Sequence, residues 1–145
     1  MKTSTKFIII TIVFAIIAFF LGKIIWPDAV NMGVPRPSDS QLPFFIFLSL
    51  LESASFGMGI ALAFLGWKYV KASTPENKKL AIWSFVAIIW VLISWWPHDN
   101  MHRVNPPDNL NGLLQIEYIF HFTLIFAGFI FAHYFWKLAT KSETP

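Results

Sequence analysis

The chain has 145 residues, of which 56% are hydrophobic and only 13% charged, with a net charge of +3. A soluble domain carries about 25% charged residues, so the polar coat of a water-soluble globule is missing. The absence of Cys excludes disulfides, thiolate metal sites and Cys nucleophiles. The basic residues are distributed in a way that fits membrane topology rather than nucleic-acid binding.

A hydrocarbon core about 30 Å thick takes about 20 apolar residues in helix. Read on that scale, residues 1–145 form a single domain with four spans, at about residues 7–26, 44–70, 76–96 and 110–138. The first follows Met1-Lys2-Thr3-Ser4-Thr5-Lys6 and so has the start of a signal peptide. Its apolar run continues to Trp26, and Phe19-Phe20-Leu21-Gly22-Lys23 lacks a small-x-small cleavage site, so an uncleaved helix is expected. Lys23 is expected to snorkel to the headgroups. Pro27, Gly33, Pro35 and Pro37 make the first connection irregular.

Two stripes mark the second span, Ser53-Gly57-Ala61 and Ser55-Gly59-Ala63. Small residues every fourth position let backbones approach in lipid, which predicts a central place for this helix. Thr74-Pro75-Glu76 reads as the start of the third helix, with Thr as the cap and Pro in the first turn. Pro97, Pro106 and Pro107 break the third connection, and Asp108 or Asn109 is placed to cap the last helix. Trp26, Trp67, Trp95, Trp96, Trp136, Tyr69 and Tyr134 fall near span ends, as in the aromatic belts of membrane proteins.

A cytoplasmic N-terminus puts Lys2, Lys6, Lys68, Lys71, Lys78, Lys79, Lys137 and Lys141 inside and leaves only Lys23, Arg36 and Arg103 outside. The positive-inside rule then predicts an all-α, antiparallel four-helix bundle in the plasma (inner) membrane, with both termini cytoplasmic.

Ionisable groups inside a span are costly and mark function. Glu52, Glu117 and His121 are of this kind. Counted from the outer helix ends at 1.5 Å per residue, Glu52 lies roughly 13 Å deep and His121 roughly 16 Å. Glu117 and His121 stand at i and i+4, on one face. Above them, His98 and His102 have H-x-x-x-H spacing, which brings both imidazoles to one side of a helix. Pro97 disfavours helix at Trp96, yet also suits the first turn of a new one. Asp99 is either a further ligand or a group that orients a ligating His.

The expected metal set is therefore His98, Asp99, His102, Glu117 and His121, with Glu52 as a candidate sixth member and Glu117 or Glu52 as general base. Imidazoles with carboxylates suit Zn²⁺, Fe²⁺ or Mn²⁺. Two His as axial ligands of haem are a lesser alternative. Such a site, half sunk in the bilayer, would act on a lipid-like or otherwise apolar substrate. The competing readings are a polar network that satisfies itself without metal and a non-catalytic subunit that meets a partner membrane protein. Arg103 has Asp99, Asp108 or a lipid phosphate as expected partners. His133 is expected at the cytoplasmic interface. Only Ser84, Thr123 and His133 continue toward the inner side, which ranks transport below the other functions.

Overall fold

The computed structural model describes residues 1–26, 37–106 and 108–141, the side chains of Lys23 and Lys141 excepted. Pro27, Gly33, Pro35, Arg36 and Pro107, and the expected role of Lys23, lie outside the described residues. The described residues form six helices: α1 (Thr3–Ile25), α2 (Leu42–Leu65), α3 (Trp67–Ser73), α4 (Lys78–Ile93), α5 (Trp95–Val104) and α6 (Leu110–Lys141). Four stretches are long and apolar enough to cross a membrane: Thr3–Gly22, Leu42–Leu65, Lys78–Val104 and Leu110–Thr140.

One span ends at a helix break and another contains one. At Gly66 the α2 axis gives way to α3, although Val70 N–H still donates to the Gly66 carbonyl. At Ser94, α4 passes into α5. Proline at position 97 has no N–H to donate to the Ile93 carbonyl one turn back, so the ladder loses a rung there. The helix resumes at once, because His98 N–H donates to the Ser94 carbonyl at 3.1 Å. Pro97 thus sits in the first turn of α5, where a missing N–H is tolerated. The polar run from His98 to Arg103 is helical, beyond the expected end of the third span at residue 96.

The caps correct one expectation and support another. Thr74 does not start α4. Its hydroxyl donates back to the Val70 carbonyl and closes α3, while the Asn77 side chain accepts from Leu80 N–H and caps α4. The Asn77 carbonyl oxygen reaches the third amide with ideal N-cap spacing, and the Thr74 hydroxyl is already engaged. Asn109 caps α6 by accepting from Gly112 N–H at 3.0 Å.

α2 packs against α1 on one side and α4 on the other, and α4 in turn carries α6. The two small-residue stripes explain this arrangement. A Cβ on Gly57 would meet α1 backbone at Thr11 and Ala15, while one on Gly59 would press into Leu92 and Ile93 of α4. Ser55 adds a hydrogen bond to the Leu92 carbonyl at 2.8 Å. Each glycine lets one neighbour approach without a side chain between. The outward faces are apolar and exposed, with Phe20, Phe64, Phe122 and Phe129 among them, as lipid-facing surfaces require.

Two residues assigned to the aromatic belts belong to the interior. Trp96 is buried, its indole N–H donates to the Ala18 carbonyl at 3.1 Å, and its ring packs on Trp26 and Phe56. Tyr134 is buried with its hydroxyl on Ser73 at 2.7 Å. Both bury a ring and satisfy its one polar atom internally.

Candidate metal centre

Helical continuation through Pro97 is what assembles the site. It puts His98 and His102 one turn apart on α5, with Nε2 atoms 3.1 Å apart. From α6, Glu117 reaches across, and its Oε1 lies 3.2 Å from His102 Nε2. One ligand atom from each of His98, His102 and Glu117 falls within 4.8 Å of the others. The three side chains are part-buried, at the end of the molecule where α5 meets α6.

These distances have a chemical meaning. Four donors arranged tetrahedrally 2.0–2.1 Å from a zinc ion stand about 3.3 Å from each other. The two closest edges of the triad, 3.1 and 3.2 Å, are near that value. Two imidazole nitrogens and a carboxylate oxygen form a borderline donor set suited to a divalent transition ion.

The remaining expected members surround this triad. Asp99 Oδ1 lies 3.2 Å from His98 Nδ1. A proton held on Nδ1 by that carboxylate leaves the Nε2 lone pair free toward the triad. His121 stands on the far side, where its Nδ1 meets Glu117 Oε2. Its side chain is 55% exposed, the most open of the cluster. The His98 ring also packs edge-on against Phe120, which stacks on Trp90, whose N–H donates to Thr123. The ring most central to the site is thereby fixed in position by apolar contact.

Glu52 is not one of the triad. Its side chain, 9% exposed, meets the Asp99 carboxyl on one side and Arg103 on the other, with Nη2 and Oε2 3.9 Å apart. Arg103 therefore turns inward, to Glu52 and to the Asn100 side-chain oxygen at 2.7 Å, instead of toward Asp108 or the headgroups. Asn100 is fully buried and donates to the Trp96 carbonyl. Sequence reasoning passed over Asn100. The available signal was its position one turn after Trp96 and three residues before Arg103, on the face of α5 that a helical reading turns inward. His133 and Tyr118 are exposed.

In sum, α5 carries two faces of polar chemistry. His98 and His102 face α6, Asn100 and Arg103 face α1 and α2, and Asp99 lies between them. The chain matches no protein-family model, no curated protein and no solved structure.

Proposed function

We propose that this protein is a multi-pass membrane protein that binds one divalent transition metal, Zn²⁺, Fe²⁺ or Mn²⁺, through His98, His102 and Glu117, with the site opening toward the outer leaflet. The observation that carries this reading is the convergence of three donor atoms from two helices within 4.8 Å, two of the separations being those of coordinating neighbours. Asp99 orients His98, and His121 shares the Glu117 carboxylate. In an antiparallel bundle with both termini cytoplasmic, the α5–α6 end lies at the outer face, in agreement with the lysine distribution. Three protein donors leave a coordination position for water or substrate, which is the arrangement of catalytic rather than structural metal sites. A bound ion would supply Lewis-acid chemistry there. Glu117 is the carboxylate at the ion that would take a proton, while Glu52 lies on the opposite side of α5 and reaches the site only through Asp99. The surrounding lipid makes an apolar molecule the fitting substrate.

Haem fits this cluster less well than a single ion. His98 and His102 lie on one helix with their Nε2 atoms 3.1 Å apart, which leaves no room for a macrocycle between them. The second reading that an observation favours is a metal-free polar network. His121, Glu117, His102, His98, Asp99 and Glu52 form a continuous run of contacts that alternates base and acid for most of its length.

Elemental analysis separates the two. Protein purified through a chelator wash and reloaded with Zn²⁺ should hold one ion per chain, and His98→Ala, His102→Ala and Glu117→Ala should each lose it. Equal metal in wild type and in the triple variant would leave the network as the correct reading.

A further inference from the structure

On the side of α5 away from the metal triad, α1, α2 and α5 enclose a cavity of about 150 Å³. Its walls include the rings of Phe19, Phe45 and Trp96, and its polar end is formed by Glu52, Asn100 and Arg103. Most of the lining is apolar. An apolar cavity of about this volume holds one benzene-sized ring.

The polar end is incomplete. Glu52 Oε2 is buried and receives no hydrogen bond among the described residues. Arg103 Nη2 is 3.9 Å away, beyond hydrogen-bonding distance, and is held by Asn100 Oδ1 at 2.7 Å. Leaving a buried carboxyl oxygen without a donor is expensive, so a group that donates to it gains more than an ordinary hydrogen bond. The guanidinium lies against the Phe45 ring, 5.3 Å from its centre, and still has N–H groups to offer. An occupant inserted here must donate to Glu52 and accept from Arg103. A hydroxyl group does both with one atom. Gly22 keeps the far wall thin, since a Cβ there would lie 3.3 Å from Asn100 Oδ1.

We infer that this cavity is a binding site for the ring of a membrane-soluble phenol or hydroquinone, its hydroxyl bridging Glu52 and Arg103 and its ring lying among Phe19, Phe45 and Trp96. The site goes beyond the metal reading and does not depend on it. It stands next to the triad all the same, because Asp99 touches Glu52 on one side and His98 on the other. The hydroxyl can come from a free phenol or from the ring of a longer lipid-soluble quinol. The chemistry recognised is the same.

The test uses the full chain in nanodiscs, with empty nanodiscs as the reference for partitioning into lipid. Fluorine NMR follows 4-fluorophenol and 4-fluoroanisole, which differ in the ability to donate. The phenol should bind saturably at one per chain, about tenfold or more tighter than the methyl ether, as a hydrogen bond to a buried acceptor otherwise left without a donor predicts. Glu52→Leu should bring the two ligands to within about twofold of each other, by loss of that same bond. Ile46→Trp, which fills the cavity from its lipid side, should remove saturable binding of both while helix content by circular dichroism stays unchanged. A longer quinol that displaces 4-fluorophenol from wild type at lower concentration than unlabelled phenol does would identify the lipid-borne source, and displacement only at equal or higher concentration would identify the free phenol. No saturable excess over empty discs, or equal affinity of phenol and anisole in wild type, would overturn the assignment and leave a cavity that holds only water. The wild-type comparison stands even if a variant fails to fold.

Discussion

Replacing Asp99 by Ala removes the carboxylate from His98 Nδ1 without touching any atom of the triad. Groups that orient a ligating imidazole are worth 10–100-fold in metal affinity. The structure places Asp99 toward the lower end of that range. Its contact with Nδ1 is long, at 3.2 Å, and its side chain is 42% exposed, so water can replace part of its function. The expected loss is therefore about tenfold, or ~1.4 kcal/mol. Its second contact, with Glu52, makes the substitution informative in another way. Removing Asp99 frees Glu52 from a neighbouring acid, so the helices should lose nothing in stability from that side. Competition for Zn²⁺ between the protein and a chromophoric chelator measures the affinity, with His102→Ala as the reference for full loss. An unchanged affinity would show that Asp99 does not orient His98. A loss as complete as that of His102→Ala would show that Asp99 is itself a ligand, and the triad would have to be redrawn.

Gly57→Leu should destabilise the bundle by about 1–3 kcal/mol in unfolding by SDS titration, because the new side chain meets α1 backbone at Ala15, 2.9 Å from its Cβ. Gly128→Ala is the control: nothing lies within 4 Å of a Cβ there, so stability should hold or rise by up to about 1 kcal/mol from helix propensity. If both glycines responded alike, close helix approach would not be the reason for the stripe. Trp90→Phe removes the donor to Thr123 Oγ1 and should lower stability by about 0.6 kcal/mol, the average for such bonds in lipid, read from the same titration. Since the chain has no Cys, single cysteines at Asp39 and Glu76 report topology cleanly. Membrane-impermeant maleimide should label the first from outside and the second only after lysis, and the reverse would invert the orientation.

The four spans were legible because lipid imposes a length and a composition that few soluble segments share. The central place of the second span was also legible, since Gly57 and Gly59 have no other use at helix positions buried between two neighbours. The H-x-x-x-H of His98 and His102 and the E-x-x-x-H of Glu117 and His121 were readable as spacings. Their convergence was expected only on the condition that the chain stays helical past His98, because it depends on whether Pro97 ends a helix or begins one. That choice is decided by the hydrogen bond from His98 N–H to the Ser94 carbonyl, a matter of local backbone angles that composition does not encode. Thr74 and Asn77 are both good capping residues three apart, and only the route of the chain after α3 selects between them. Trp96 and Tyr134 were misplaced for a related reason: a residue near a span end can face headgroups or a neighbouring helix, and sequence position alone does not distinguish them. The division of α5 into a side that faces Glu117 and a side that faces Glu52 was likewise hidden. Arg103 was read as an outer charge with an anionic partner in the loops or the lipid, while the structure turns it into the bundle.

X-ray absorption at the zinc edge of the reloaded protein tests the triad most directly. A first shell of nitrogen and oxygen at about 2.0–2.1 Å, with outer-shell scattering from two imidazoles, is the expected spectrum. A shell without imidazole scattering, or no zinc retained after reloading and removal of free ion by gel filtration, would contradict a metal centre built on His98, His102 and Glu117.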